Sequence, residues 1–177
     1  MAILEEWTKN PNVRKHAHAV EAAMRAYAIK FGEDADKWGV VGLLHDFDYE
    51  RYPSLEKHPT EGAAWLKQQG FSDELIQAIL AHAQHTGVAR DTLMKKAVFA
   101  VDELTGLIVA VALVRPSKKL ADVDLKAVMK KWKEKSFAAG ADRKTIEQGA
   151  KELGVSLEEH IAVVLKAMRD ISAQLGL

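Results

Sequence analysis

An all-α bundle is the fold class this sequence predicts, on three observations. Only four prolines punctuate 177 residues, and Ala, Leu, Lys and Glu, all good helix formers, dominate. No Asn-Gly or Asp-Gly dipeptide marks a hairpin. Helix start and stop residues recur along the chain at intervals of a helix length, which justifies each element in turn.

Asn10 before Pro11 reads as an N-cap with proline in the first turn, and that helix should run to Phe31, ahead of Gly32. Asp34 or Asp36 opens a second, through the apolar run Gly39-Val-Val-Gly-Leu-Leu44 to His45-Asp46. Residues 47–59 read as a loop, and a third helix runs from about Pro59 to Gln69, stopped by Gly70. Ser72 caps a fourth, with Asp73 and Glu74 set against the helix dipole, reaching His82–His85 before Gly87. Asp91 caps a long fifth that ends at Arg115-Pro116. Three more follow, Asp124–Ser136, Asp142–Leu153 and Ser156–Leu175, the last opened by a capping box, Ser156-Leu-Glu-Glu159.

Composition excludes several function classes. The chain has no cysteine, so thiol nucleophiles, iron–sulfur clusters, zinc fingers and disulfide scaffolds are out. Lys and Arg number 25 against 25 Asp and Glu, so there is no global attraction to nucleic acid or an anionic membrane, and no nucleic-acid partner is expected. The stretch Ala97–Val114 is apolar, but Asp102 and Glu103 interrupt it, which argues against a membrane span. Acids in MAILEEWTKN stand where a secretory leader carries bases, and a cytoplasmic protein is expected, monomer or homodimer.

Candidate chemistry gathers in the histidines, six of whose seven lie before residue 86. The doublet His45-Asp46 ends an apolar helix and delivers a nitrogen and an oxygen ligand to one point, a pair suited to Mn, Fe, Co, Ni or Zn. A buried His bonded to a capping Asp is the structural alternative. Asp102 sits where its helical neighbours are mainly apolar, a placement costing several kcal/mol unless the carboxylate is paired, protonated or bound to a cation. Glu103, one step round, can lean to solvent. His16 lies among Val13, Ala17, Ala19 and Val20; His18 points about 200° away around the helix, so at most one of the two faces a shared site. His58 stands at a helix entrance, as a ligand, a phosphate contact or a cap; His82 and His85, three apart, share one face of the same helical turn. Asp48, Tyr49 and Arg51 follow the doublet in a loop, where substrate contacts commonly reside. Lys130 and Lys131 belong to a lysine-rich run that is either a solvated face or a positive rim drawing in a phosphorylated substrate. No glycine-rich phosphate loop, GxSxG elbow, Rossmann fingerprint or HExxH is present.

His16, His45-Asp46 and Asp102, in this order on helices, resemble the H…HD…D signature of the HD-domain metal-dependent phosphohydrolase superfamily, most nearly its small HDIG-like hydrolases. His58-Pro59 with Gly62, and Ile79-Leu-Ala-His82, resemble the two extra histidines of its binuclear members. The chain departs from the eponymous pattern by reading His-Asp-Phe-Asp, with Asp48 in place of glycine, and it lacks the Gly-Tyr-Pro element of the cyclic-dinucleotide phosphodiesterases. The resemblance covers residues 10–115 and implies one HD domain with a helical extension over 116–177. It further implies a divalent metal, one ion or two and Mg included, held by His16, His45, Asp46 and Asp102, with His58 and His82 completing a second position. The implied reaction is hydrolysis of a phosphate ester or anhydride of a small, nucleotide-like substrate by metal-activated water, with Asp46, His58, His82 and His85 as candidate catalytic groups. Asp48, Arg51, Lys130 and Lys131 are candidate substrate contacts. A di-iron oxygenase with the same ligands, and a non-catalytic metal-stabilised module, are the rival expectations.

Overall fold

The computed structural model describes residues 2–177, and among these every regular element is a helix. In chain order the helices are α1 (Ala2–Trp7), α2 (Pro11–Phe31), α3 (Ala35–Leu44), α4 (Thr60–Gln68), α5 (Asp73–Ala81), α6 (Leu93–Leu113), α7 (Leu125–Trp132), α8 (Arg143–Leu153), α9 (Leu157–Asp170) and α10 (Ser172–Leu175). The caps carry most of the boundaries. Asn10, Asp34, Ser72, Asp124, Asp142 and Ser156 each accept a backbone N–H of the first turn through their side chains. Gly32 closes α2 at φ 73°, a left-handed conformation open to glycine at little cost.

Helix α6 is the hub, packed against α2, α5, α8 and α9, while α2 lies along α3. Leu104, Leu107 and Ile108 of α6 are fully buried, each worth roughly 1.5–3 kcal/mol of apolar burial. The core runs without a break from Leu4 to Leu175. No helix of the described residues is long and apolar enough to cross a membrane.

Several boundaries differ from the sequence expectation, each through a contact that local pattern does not encode. Helix α1 lies outside the helices that the sequence pattern marks; too short to be stable alone, it is held by Trp7, which packs on Phe47 and Trp65 at ring separations of 4.9 and 4.7 Å. Helix α6 is capped by Thr92, not Asp91, whose carboxylate is taken by Lys95 Nζ at 2.8 Å. Helix α7 stops at Trp132 because the Arg143 guanidinium gathers the carbonyls of Phe137, Ala138 and Ala141 and folds that stretch into a loop. The final helix turns at Ile171, which lets Leu175 reach the core, and Glu159 pairs with Lys30 at 2.6 Å.

Helix α5 ends at Ala81, short of His85. Ala83 is extended, and Thr86 Oγ1 donates to the carbonyls of Leu80 and Ala83, so a separate 3-10 turn carries His85. His82 and His85 therefore do not share one helical face.

Candidate metal centre

The C-terminal ends of α3 and α5, the second turn of α2, the middle of α6 and the loop before α4 converge. They bring His16, His45, Asp46, His58, His82 and Asp102 together. His16, His45 and Asp102 form one trio and Asp46, His58 and His82 another, the ligand-type atoms within each lying within 4.8 Å of one another. His16 Nε2 is 3.1 Å from His45 Nε2 and 3.0 Å from Asp102 Oδ1.

Asp46 joins the two trios. Its Oδ2 lies 3.5 Å from His45 Nε2 and 3.8 Å from His16 Nε2, and its Oδ1 lies 3.2 Å from both His58 Nε2 and His82 Nε2.

The imidazoles are held from behind. His45 Nδ1 donates to the Gly42 carbonyl at 2.7 Å and His82 Nδ1 to the Ile79 carbonyl at 2.6 Å. A carbonyl only accepts, so each Nδ1 carries hydrogen and each neutral ring offers the Nε2 lone pair inward. His16 Nδ1 meets Thr105 Oγ1 at 3.3 Å. Lone pairs and carboxylate oxygens thus face one another across short distances, an arrangement that repels itself unless protons or a cation lie between. This donor set, nitrogen and carboxylate oxygen with backbone-fixed rings, fits a divalent transition metal.

The electrostatics agree. Burial would lower the His45 imidazole, but Asp46 and Asp102 outweigh it and push it up to about 9. His58 is likewise lowered by burial and raised by Asp46 and Asp48, to about 9 overall. Burial would raise the Asp46 carboxyl, yet His45, His58 and His82 hold it well below the usual carboxylate range. Asp102 is also depressed, as His16 and His45 overcome its burial. Without metal, imidazolium protons balance the carboxylates.

A cleft of about 580 Å³ opens over this centre, walled by Tyr49, His85, Phe99, Glu103 and Thr145 among others. Among the described residues no lysine or arginine lines it. The expected substrate contacts therefore need correction. Asp48 is fully buried, its Oδ1 on His58 Nδ1 at 2.8 Å and its Oδ2 accepting from Gly62 N at 2.9 Å, so it cannot touch a substrate. Arg51 lies over the Trp7 ring at 3.9 Å, beside Glu6 and away from the cleft. Lys130 and Lys131 do not line it either; Lys131 is paired with Glu134 at 2.7 Å. Of the loop residues after the doublet, Tyr49 does line it.

His85 lines the cleft too, its Nε2 donating to the His58 carbonyl at 2.9 Å. Glu103 does not lean to solvent: it is half-buried in the wall, and burial, then Asp102, raises its carboxyl. The 138–145 part of the wall is shaped by the Arg143 guanidinium, which donates to the Ala138 and Ala141 carbonyls in a side-chain-to-backbone pattern that hydrophobic periodicity does not report. His18 pairs with Glu21 at 3.2 Å outside the cluster, and His160 is buried elsewhere.

Comparison with known proteins agrees with this geometry. The chain is similar to Ribonuclease Y of Fervidobacterium nodosum, 28% identical over 189 aligned positions that take in 88% of this chain and 35% of that protein. It thus spans about a third of that relative's length. No solved structure matches. A family model described as HD domain matches residues 13–107, more than half of the chain and all six residues of the two trios, and the chain belongs to the HD domain family.

Proposed function

We propose that this chain is a metal-dependent phosphohydrolase that cleaves a phosphate ester or anhydride of a small, nucleotide-like substrate in the cleft above Asp46. The observation that carries the reading is the divided carboxylate, with Asp46 Oδ2 toward His16 and His45 and Oδ1 toward His58 and His82. His16, His45, Asp46 and Asp102 would hold one divalent ion, and Asp46, His58 and His82 would hold a second. Metal bound there supplies Lewis-acid stabilisation of phosphoryl charge and a water of lowered pKa.

The chain's own groups do the rest. Among the described residues no lysine or arginine lines the wall, and His85 is the imidazole there that neither trio uses. Its Nε2–H is engaged by the His58 carbonyl, so Nδ1 is the atom available to exchange a proton with a leaving group. Tyr49 and Leu55 offer an apolar lip for the organic part of the substrate. Glu103 disfavours further negative charge beside the scissile group and accepts from hydroxyls.

Purified protein assayed for metal content, then screened against a phosphate-ester panel with Mn, Co, Ni and Mg, tests the reading. Phosphate release that persists without dioxygen is expected. No release with any metal, or turnover only in the presence of dioxygen, overturns it.

A further inference from the structure

The three histidines His45, His58 and His82 solve one orientation problem in two ways. His45 and His82 stand at the C-terminal ends of α3 and α5, and each fixes its Nδ1 on the carbonyl three residues back in its own helix. His58 precedes α4 in a loop, with no helix behind it to supply such a carbonyl. Its Nδ1 instead meets the carboxylate of Asp48, ten residues earlier in sequence, at 2.8 Å.

Asp48 is fully buried and both of its oxygens are used. Oδ2 accepts from the Gly62 N–H at 2.9 Å, in the first turn of α4, whose N-cap residue Pro59 makes no side-chain cap bond. A carboxylate is favourable there. The fit leaves no slack, because a Cβ at Gly62 would fall 2.6 Å from Asp48 Cγ. One buried carboxylate thus ties the His58 ring to the start of α4, and this is the position where His-Asp-Phe-Asp departs from His-Asp-Ile-Gly.

We propose that Asp48 is a positioning residue that fixes His58 with its Nε2 lone pair toward Asp46 Oδ1, and so sets the affinity of the Asp46–His58–His82 metal position without touching metal or substrate. This rests on the reading of those three residues as ligands. An ionised carboxylate accepts only, so it keeps hydrogen on Nδ1 and leaves Nε2 bare. Asparagine cannot serve both partners in this way. If its oxygen accepts from Gly62, its amide donates to Nδ1 and moves the ring hydrogen to Nε2, where it blocks the metal. Oxygen on His58 instead sets the amide against the Gly62 N–H.

The full chain is titrated with manganese(II) by equilibrium dialysis and watched by electron paramagnetic resonance. Wild type is expected to take two equivalents and show a coupled-pair spectrum. Asp48→Asn should keep one equivalent at unchanged affinity and lose the other by roughly 10- to 100-fold, the usual effect of removing a partner that orients a ligand. Its spectrum should become that of an isolated ion. Gly62→Ala, which crowds the carboxylate without altering charge, should show the same selective loss and serves if Asp48→Asn does not fold. A variant that folds, melts lower and still binds both equivalents as wild type does would reduce Asp48 to a cap for α4 and overturn the proposal. Wild type taking one equivalent or none would overturn the two-position reading itself, a failure visible before any variant is made.

Discussion

Asp46 Oδ1 lies 3.2 Å from His82 Nε2, and the other oxygen of the same carboxylate lies 3.5 Å from His45 Nε2. One side chain therefore serves both halves of the centre. Asp46→Ala should release metal from both positions and bring phosphoester hydrolysis below detection. His85→Ala, which leaves both trios intact, should keep metal at both positions and cost about 10²- to 10⁴-fold, the usual loss for a proton-transfer group. Metal content and steady-state kinetics on the two folded variants decide the ranking. Full activity in Asp46→Ala would end the hydrolase reading.

Metal number has its own signature. Crystals grown with manganese should show two anomalous peaks roughly 3.5–4 Å apart, the usual spacing of paired hydrolytic metals. His82→Ala removes an imidazole of the Asp46–His58–His82 trio, whose Nε2 lies 3.2 Å from Asp46 Oδ1, so its crystals should keep the peak beside His16, His45 and Asp102 and lose the other. A single wild-type peak, unchanged in His82→Ala, would make the centre mononuclear.

The approach of α2 to α3 supports this geometry from below. A Cβ on Gly42 would fall 2.8 Å from Glu21 Cα and 2.9 Å from the Val20 carbonyl, both backbone atoms with no room to yield. Gly42 also holds the His45 ring through its carbonyl. Gly42→Ala should destabilise the fold by about 1–3 kcal/mol and weaken metal binding together with it. Urea unfolding of the metal-free variant reads the first effect and a manganese titration the second. An unchanged midpoint would show that the two helices separate freely.

Local rules reached some parts of this molecule and not others. Asn10, Asp34, Ser72, Asp124, Asp142 and Ser156 announce their helices because a cap acts within three residues. His16, the His45-Asp46 doublet and Asp102 were legible because each is a polar group in an apolar helical setting. The role of Asp48 was not, because its partners are His58 and Gly62, brought to it only by the folded loop. Helix α1 and the early end of α7 depend on Trp7 stacking and on Arg143 reaching across a loop. The break between His82 and His85 was hidden for the same kind of reason: Thr86 closes α5 through side-chain bonds that no periodicity reveals.

His160 provides a pH test away from the metal centre. It is fully buried between α2, α6 and α9, its Nε2 donating to the Ala100 carbonyl at 2.9 Å and its Nδ1 accepting the Tyr27 hydroxyl at 2.6 Å. Both ring nitrogens are used by the neutral form, and a proton on Nδ1 would displace the tyrosine hydrogen bond inside an apolar core. Burial accordingly lowers this imidazole to about 4. In the unfolded chain it protonates near 6.5, so between those values the unfolded state binds more protons than the folded state. The contribution is fully present above pH 6.5 and drains away as pH falls toward 4, by about 3 kcal/mol in all. His160→Gln removes the titrating group, and its stability should start lower at neutral pH but fall less steeply from pH 6.5 to 4. Urea unfolding of both proteins across that range measures the difference in slope. Parallel pH profiles would mean that His160 takes up its proton as readily in the folded chain as in the unfolded one, and that the chain Tyr27–His160–Ala100 does not hold the neutral ring.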